Sequence, residues 1–184
     1  MITGPSGVGK GTLIAELLKR LPGLEMSVSA TTRPPREGER DGLDYHFMSE
    51  EEFDRRLAAG EFMEHATYSG HRYGTLLSEV EPRLAAGVGV VLEIEVQGAR
   101  QVRARMPEAV LVFVAPPDPA ALRSRLEGRG TDSAEQIERR LRVAADELGA
   151  QPEFRHVIVN DDVDRAAGEL VELVNSELAR EPAR

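Results

Sequence analysis

The sequence predicts an α/β fold built on a parallel, doubly wound sheet. A glycine-rich turn that ends in lysine, at residues 4–10, lies between a short apolar stretch and an amphipathic helical pattern. Short apolar strand candidates then alternate with helical patterns along the chain, which is the order of βαβ units. A chain of 184 residues suits one main domain that carries an inserted segment.

The first 75 residues predict a core βα unit followed by a compact α+β insertion at residues 30–75. Apolar residues recur at helical spacing after the turn, and Pro22-Gly23 ends that helix. Ser49 with Glu52 three places later forms a capping box that begins the next helix. The predicted elements are, in order, a short strand at 1–3, a helix from about 12 to 21, a strand at 26–30, an extended segment at 45–48, a helix at 50–59 and a strand at 61–68.

The remaining residues predict three further strands and five helices. Pro82 has no N–H group, so it should start or kink its helix near Ser78. Asp118 can cap a helix whose first residue is Pro119, and Ser133 begins another. The predicted elements are, in order, a helix at 76–86, a strand at 88–96, helices at 97–106 and 118–128 on either side of a strand at 110–115, a helix at 133–149, a strand at 157–159 and a terminal helix that contains residues 166–174.

Composition excludes several kinds of partner and site. The net charge of −9 argues against a nucleic-acid or anionic-membrane partner, because no excess of Lys and Arg is available for their phosphates. The chain has no cysteine, and its four histidines lack metal-binding spacing, so we expect no disulfide and no structural zinc. The longest apolar run is of strand length and no signal-peptide pattern precedes the turn, so we expect a cytoplasmic protein. Three residues are few for a central strand, so we expect a truncated strand or a true start upstream of Met1. The sequence predicts no oligomeric state.

The turn at residues 4–10 has the composition of a nucleoside triphosphate site. Its glycines bring consecutive N–H groups round a polyphosphate, the following helix adds its dipole, and Lys10 supplies a positive charge for the β and γ oxygens. The usual pattern places Ser or Thr directly after the lysine to bind Mg²⁺, whereas this chain has Gly11 there and Thr12 one place later. Thr12 can therefore approach the metal differently, for example through water. The alternative is an ordinary Gly-Pro turn that caps a helix.

A second anion site is predicted in the proline-stiffened loop at residues 31–39, where Arg33 and Arg36 lie three apart. Two guanidinium groups on a stiff scaffold suit a phosphate monoester, because bidentate contacts are strong and little ordering entropy is lost. The alternative is a solvated loop whose arginines pair with Glu37 and Glu39. A kinase needs a second anion pocket across a cleft from the first, which favours the phosphate site.

Further segments complete a pattern that covers essentially the whole chain. The segments are Gly4-Pro5-Ser6-Gly7 with Lys10, Ser29 with Thr31-Thr32-Arg33-x-Pro35-Arg36-x-Gly38-Glu39, Glu64, Tyr73-Gly74-Thr75, Glu127-Gly128-Arg129-Gly130 and Val159-Asn160-Asp161-Asp162. Together they resemble the guanylate kinase family. The resemblance implies a P-loop kinase core at about 1–29, 76–125 and 141–184, an inserted GMP-binding subdomain at about 30–75 and a helical lid at about 126–140. It also implies an Mg²⁺-dependent reaction in which ATP and GMP give ADP and GDP.

The resemblance implies a role for each matching residue. The ATP-binding residues would be Gly4, Pro5, Ser6, Gly7, Val8, Gly9, Lys10, Gly11, Thr12, Arg125 and Asn160. The GMP-binding residues would be Ser29, Arg33, Arg36, Tyr45 and Tyr73 around the phosphate, Glu64 and Thr75 at the guanine, and Glu93. Guanine presents N1–H and N2–H₂ donors side by side and an ionised carboxylate accepts from both, so Glu64 is predicted to select guanine. The alternatives are an exposed strand carboxylate for Glu64 and half-buried core phenols for the two tyrosines.

The resemblance also implies how the transferring group is stabilised. Lys10, Arg129 and Arg140 would be catalytic, because lid arginines neutralise the charge of a loose phosphoryl transition state and exclude water. Thr12, Glu93 and Glu95 would contribute to the Mg²⁺ site, directly or through water. The alternative for the two glutamates is a pair of strand-end charges that meet solvent. No general base is expected, because the acceptor phosphate is already ionised.

Two other functions remain open from the sequence. A catalytically inactive guanylate-kinase-like module would bind phosphorylated peptides, but such a module has little use for Lys10 and a complete glycine loop. A kinase for another phosphorylated acceptor, such as a ribosyl phosphate, would have little use for Glu64 and Thr75. The favoured partners are therefore the small molecules ATP and GMP.

Overall fold

The computed structural model describes residues 1–128 and 133–179. The strands in these residues are β1 (Ile2–Thr3), β2 (Leu24–Met26), β3 (Ser29–Thr31), β4 (His46–Phe47), β5 (Phe62–Tyr68), β6 (His71–Leu76), β7 (Gly89–Val91), β8 (Val112–Ala115) and β9 (His156–Val159). The helices are α1 (Lys10–Arg20), α2 (Glu50–Ala58), α3 (Leu77–Ala85), α4 (Val96–Arg105), α5 (Pro119–Glu127), α6 (Ala134–Gly149) and α7 (Val163–Leu178), with a 3-10 turn at Gln151–Glu153. None of the helices described is long and apolar enough to cross a membrane.

The chain forms two compact units. The first unit contains Met1–Pro22 and the described residues of Val110–Arg184, and the second contains Gly23–Ala109. These bounds differ from those of the predicted core, GMP-binding subdomain and lid. That three-part division, like the predicted cleft, therefore stays a prediction.

The first unit is built on a parallel sheet in the order β1-β8-β9. All four residues of β8 are buried, as expected for the central strand of a sheet that is covered on both faces. Helix α1 buries Leu13, Ile14 and Leu17, and α7 buries Ala166 and Leu170 at the same helical spacing. The predicted alternation of parallel strands and helices is confirmed in this unit.

The second unit contains two sheets. Strands β2 and β7 pair in parallel, and the other sheet has the order β4-β3-β6-β5, in which only β3 and β4 are parallel. The prediction of one strand at residues 26–30 is wrong, because the chain leaves the first of these sheets after Met26 and joins the second at Ser29. Ser27 N–H still donates to the Val91 carbonyl, whereas Val28 N–H donates to the side chain of Glu79.

The predicted strand at residues 88–96 is also too long. Strand β7 ends at Val91, because its partner β2 ends at Met26 and offers no further residues for pairing. Glu93 and Glu95 therefore lie beyond the strand, in the segment that leads to α4, and Glu95 is the N-cap residue of that helix.

The predicted helix ends agree with the structure to within about two residues, and one predicted capping box is incomplete. Ser133 and Gln136 form a complete capping box at α6. Ser49 caps α2 through the Glu52 N–H, but the box is incomplete because the Glu52 carboxylate instead binds the arginines at positions 55 and 56. Pro82 lies inside α3, which begins at Leu77, one residue before the start predicted near Ser78.

A small hydrophobic core fixes α2 on the four-stranded sheet. Phe53 of α2 stacks on Phe62 of β5 with ring centroids 4.4 Å apart, and both rings are buried. Ala30 and Leu76, from β3 and β6, complete the cluster. This core holds together the strands that carry the candidate GMP-binding residues.

Candidate active site

The glycine-rich turn connects β1 to α1 in the first unit. The Val8 N–H group donates to the Pro5 carbonyl at 3.2 Å, which closes the turn. Gly7 and Gly9 have φ of +89° and +97°, values that side-chain-bearing residues rarely adopt. Gly9 is the N-cap of α1, so the free N–H groups of the first helical turn follow the glycines directly. This is the strand, loop and helix order that a phosphate loop requires.

Lys10 is the first residue of α1, and its side chain turns back over the loop. Its Nζ donates to the carbonyl oxygens of Gly4 at 2.5 Å and Pro5 at 3.3 Å, and the residue is only 9 % exposed. No carboxylate in the described parts of the chain forms an ion pair with Lys10. A phosphate oxygen is a stronger acceptor for an ammonium group than a carbonyl oxygen, so the lysine charge suits an anionic ligand.

Arg125 and Asn160, two of the predicted ATP-binding residues, hold the loop through its Val8 carbonyl. The Arg125 guanidinium donates to the carbonyl oxygens of Val8 at 3.0 Å and Asn160 at 2.7 Å. The Asn160 side-chain amide donates to the same Val8 carbonyl at 2.8 Å, and its backbone N–H donates to Ala115 of β8. A Cβ at Gly9 would lie 2.6 Å from the Asn160 amide nitrogen, so the loop packs directly on this side chain.

Asn160 also has one unused polar atom. The residue is only 2 % exposed, and its side-chain oxygen has no hydrogen-bond partner in the described residues. A buried acceptor without a partner costs about 1–3 kcal/mol, so a ligand that donates to this oxygen would recover part of that free energy.

Three predicted GMP-binding residues share one row of the four-stranded sheet in the second unit. Thr75 of β6 pairs with Ser29 of β3 on one side and with Glu64 of β5 on the other. Directly paired residues of neighbouring strands point to the same face of a sheet. Tyr73 lies two residues before Thr75 on the same strand and therefore on the same face.

Glu64 is a buried carboxylate with one side-chain partner among the hydrogen bonds of the described residues. It is 4 % exposed, and the Thr75 hydroxyl donates to its Oε1 at 2.7 Å. Burial raises the pKa of Glu64 to about 7, and the nearby charge of Glu95 adds to the increase, while hydrogen bonds from the Thr75 hydroxyl and N–H oppose it. The predicted alternative of an exposed, cation-paired Glu64 is wrong, because the side chain is buried, with Gly98 of α4 packed directly against its carboxylate.

The predicted tyrosines form an aromatic cluster that includes an arginine. Tyr45 meets Tyr73 edge to face with ring centroids 6.2 Å apart, and Tyr45 also contacts Phe47. The Arg33 guanidinium carbon lies 5.3 Å from the Tyr45 ring centroid, within cation–π range. Burial raises the pKa of Tyr45, and the charges of Tyr73 and Glu93 add to the increase. Glu93 is thus close enough to Tyr45 to influence its ionisation.

Glu39 organises the arginine loop. Its Oε1 accepts from Arg33 Nη2 at 2.8 Å, and its Oε2 accepts from the Arg36 backbone N–H at 2.7 Å. The Arg33 guanidinium lowers the pKa of Glu39, and the Arg36 N–H adds to that decrease. The predicted alternative of arginines paired with glutamates is therefore observed for Arg33 with Glu39. Arg36 differs, because its exposed guanidinium has no carboxylate partner within ion-pair distance in the described residues.

Comparison with known protein families identifies the family to which the chain belongs. A family model described as guanylate kinase matches residues 1–177. The chain belongs to the guanylate kinase family. It is therefore an ATP:GMP phosphotransferase, and the predicted reaction and enzyme class are confirmed.

Individual guanylate kinases agree over nearly the full chain. The guanylate kinase of Frankia casuarinae is 57 % identical over 174 residues, which are 95 % of each chain. That of Streptomyces coelicolor is 53 % identical over 175 residues, or 95 % of this chain and 89 % of the relative. The crystal structure of guanylate kinase from Anaplasma phagocytophilum matches with a TM-score of 0.78 and 33 % identity, and covers 96 % of this chain and 85 % of its own. The predicted P-loop kinase fold is confirmed.

The residues near the phosphate loop are compatible with an Mg²⁺ ion that is bound mainly by the nucleotide. The described residues contain no group of three or more acidic or histidine side chains placed to hold a metal ion. Mg²⁺ in nucleotide sites is held mainly by phosphate oxygens and water, so such a cage is not required. Thr12 lies exposed in the first turn of α1, where its hydroxyl can reach a water of such an ion. Glu93 and Glu95 belong to the second unit, and their link to the metal stays a prediction.

The predicted lid is described only in part. Arg129 lies outside the described residues, so its predicted role stays a prediction. Arg140 lies half-buried in α6, and the neighbouring Arg139 is exposed. Arg125 precedes the lid in α5, where its guanidinium binds backbone carbonyls.

Three contributors to the site were not predicted from the sequence. The sequence predicts Glu39 as part of a motif or as a counter-charge, and not as the residue that orders the loop. The sequence predicts Gly98 and Gln101 of α4 only as helix residues. In the structure Gly98 lies against Glu64, and Gln101 binds the backbone of His65. A glycine in the first turn of an otherwise ordinary helix was the one available signal for Gly98.

Proposed function

We propose that Glu64 is the residue through which this enzyme selects guanine. The observation that carries the proposal is a buried carboxylate whose Oε1 binds Thr75 while the rest of its acceptor capacity remains for a ligand. Guanine offers N1–H and N2–H₂ donors on one edge, and an ionised carboxylate accepts from both. Adenine has no such edge, so it would leave the buried carboxylate without donors.

Thr75 faces the guanine with Glu64, and Ser29 faces the GMP phosphate from the same row of the sheet. Their shared register supports these roles, because it places three polar side chains side by side on one face. The Thr75 hydroxyl donates to Glu64 and so fixes the direction of the carboxylate. Ser29 extends the row toward the acceptor phosphate.

Arg36, Arg33, Tyr45 and Tyr73 bind the GMP phosphate. The exposed Arg36 guanidinium, which has no carboxylate partner in the part of the chain described, supports the strongest contact. Arg33 is already ordered by Glu39 and by the Tyr45 and Phe47 rings, so little conformational entropy is lost when it binds an anion. The phenol hydroxyls supply neutral donors to the same oxygens.

The phosphate loop binds the ATP tail, and Lys10 contacts its β and γ oxygens. Asn160 and Arg125 hold the loop by its Val8 carbonyl, and the unused Asn160 oxygen supports a further contact to a donor of the nucleotide. When Mg²⁺ is bound with ATP, it neutralises charge on the phosphate oxygens, and Thr12 would hold it through water. Arg140 and Arg129 would add positive charge at the transferring group. The proposal also places the enzyme in the cytoplasm, with both of its substrates.

Substrate selection by the Glu64→Gln enzyme tests the proposal. A coupled assay of ADP release would compare GMP, AMP, UMP and CMP as acceptors for the unaltered enzyme and for Glu64→Gln. The amide places donors against guanine donors, so GMP should lose its advantage over AMP by roughly 10²-fold or more in kcat/KM. Glu61→Gln, a partly exposed glutamate that pairs with Arg56, is the matched control and should leave the preference unchanged. An unaltered preference in Glu64→Gln would remove Glu64 from guanine recognition.

A further inference from the structure

Gly98 is a helical glycine whose backbone does not require glycine. It lies in the first turn of α4, and its φ is not in the left-handed region. Glycine is a poor helix former compared with alanine, so its use here needs another reason. We infer that Gly98 is a positioning residue for guanine selection, because it leaves the space that the Glu64 carboxylate occupies. This inference rests on the role proposed for Glu64.

The three atoms nearest to a Cβ at position 98 all belong to Glu64. A Cβ built at Gly98 would lie 2.1 Å from Oε2 of Glu64, 2.9 Å from its Cδ and 3.3 Å from its Cγ. The first two distances are far below van der Waals contact. Any side chain at position 98 therefore conflicts with the carboxylate itself, on the oxygen that does not bind Thr75.

Helix α4 cannot move away to relieve the conflict without losing other contacts. Gln101 donates to the His65 carbonyl at 2.6 Å and accepts from the His65 N–H at 3.1 Å. Arg105 donates to the Phe62 carbonyl at 2.5 Å. These bonds fasten α4 to strand β5 on both sides of Glu64, and they satisfy backbone groups on an edge strand of the sheet.

The Glu64 carboxylate is the group that would move to relieve the conflict with a side chain at position 98. The Glu64 side chain can change its torsion angles, whereas the backbone on either side of it is fixed by sheet pairing with β6 and by α4. Rotation away from position 98 takes Oε1 out of line with the Thr75 hydroxyl and turns the acceptor pair away from a bound guanine. A displacement of about 1 Å in a positioned group can lower activity by roughly 10²-fold.

The experiment compares one substitution at two helical glycines. Gly98→Ala should raise the KM for GMP by roughly ten- to a hundredfold and lower the GMP/AMP ratio of kcat/KM, while the KM for ATP stays unchanged. Gly168→Ala is the matched control, because a Cβ there would meet nothing closer than an Arg20 nitrogen at 4.0 Å. Gly168→Ala should leave all kinetic constants unchanged. An unaltered KM for GMP in folded Gly98→Ala would overturn the inference.

A double-mutant cycle separates positioning from a general structural effect. In the Glu64→Gln background the guanine contact is already lost, so adding Gly98→Ala should change the KM for GMP by no more than about twofold. A full additional loss in the double mutant would show that Gly98 acts independently of Glu64, and would overturn the inference. If Glu64→Gln keeps the preference for GMP, the proposed function of Glu64 fails by itself, before Gly98 is tested.

A stability measurement covers the case in which Gly98→Ala does not fold. Glu64→Ala removes the atoms that conflict with a Cβ at position 98, so Glu64→Ala/Gly98→Ala should unfold at the same temperature as Glu64→Ala or higher. Failure of the double variant to fold would place the conflict elsewhere and contradict the inference.

Discussion

The phosphate loop and the proposed guanine pocket differ in how they would hold an anion or a polar ligand. The loop uses consecutive residues, closes itself through backbone hydrogen bonds and presents backbone N–H groups with one lysine. The pocket uses side chains from three strands and a loop, and several of them are held by another side chain rather than by the backbone. A site of the first kind can be located from a short stretch of sequence. A site of the second kind depends on strand register.

The difference also predicts where each region is vulnerable. Loop geometry depends on backbone conformation and on support at Val8, so most side chains there carry little of the function, with Lys10 as the exception. In the pocket, Glu64 and Glu39 each hold a position through one or two contacts, and a single substitution should change substrate recognition while the fold persists. Substitutions in the two regions test that contrast.

Lys10→Met should have the largest effect. Its ammonium group is the loop's only side-chain charge, and removal of a positioned charge that stabilises a transition state lowers kcat by roughly 10²–10³-fold. Binding of GMP, measured by calorimetry without ATP, should remain within about twofold of the unaltered enzyme. Lys19→Met, an exposed lysine of the same helix, is the control and should leave turnover unchanged. Normal turnover in Lys10→Met would remove the lysine from the mechanism.

Arg36→Ala should affect only the acceptor side. The substitution deletes a charged, bidentate donor for the GMP phosphate, so the KM for GMP should rise by roughly ten- to a hundredfold while the KM for ATP stays within about twofold. Arg40→Ala, an exposed arginine of the same loop, is the matched control and should alter neither constant. An equal rise in both KM values would show that Arg36 does not belong to a GMP-specific pocket.

Local features of the fold could be predicted because the interactions that make them are local. The Ser133–Gln136 box and the Asp118 cap join residues three apart, so the sequence contains both partners. The glycine-rich turn is similar, since its glycines and lysine are consecutive and its helix follows at once. The family resemblance then supplied the members of the pocket, which spacing alone would not have joined.

Features that depend on a distant partner were predicted less well. The apolar run at residues 88–96 continues past Val91, but a strand ends where its neighbour ends, and β2 supplies only three residues. Arg33 and Glu39 are close in sequence, yet their pairing depends on the conformation of the whole loop. Gly98 could not be assigned a role, because the atoms that need its space belong to Glu64, far away in the sequence.

Asn160→Ala tests how far the loop depends on one of its two side-chain supports. Two bonds to the Val8 carbonyl would be reduced to the one from Arg125. We expect the KM for ATP to rise by roughly tenfold and the free energy of unfolding to fall by about 1–3 kcal/mol, with the KM for GMP unchanged. Asn175→Ala, on the exposed side of α7, is the control. A loop that binds ATP normally without Asn160 would show that backbone closure and the Arg125 bond suffice.

The smallest predicted effect is a pH dependence that only the pocket should show. Burial raises the pKa of Glu64 from its ordinary value of 4.5 to about 7, with a contribution from Glu95. Only the ionised carboxylate accepts from both guanine donors, so the affinity for guanosine, which carries no phosphate that titrates in this range, should increase by roughly fourfold between pH 6.5 and pH 8.

The folded protein holds this proton more tightly than the unfolded chain does, so the stability contributed by Glu64 is full below pH 4.5 and is lost as the pH rises toward 7. Glu64→Gln should abolish both trends, whereas ATP binding by the loop, measured at fixed free Mg²⁺, should keep the same pH profile in the variant as in the unaltered enzyme. A guanosine affinity that is flat across this range in the unaltered enzyme would mean that Glu64 is already ionised at pH 6.5, and that burial does not control the charge of the pocket.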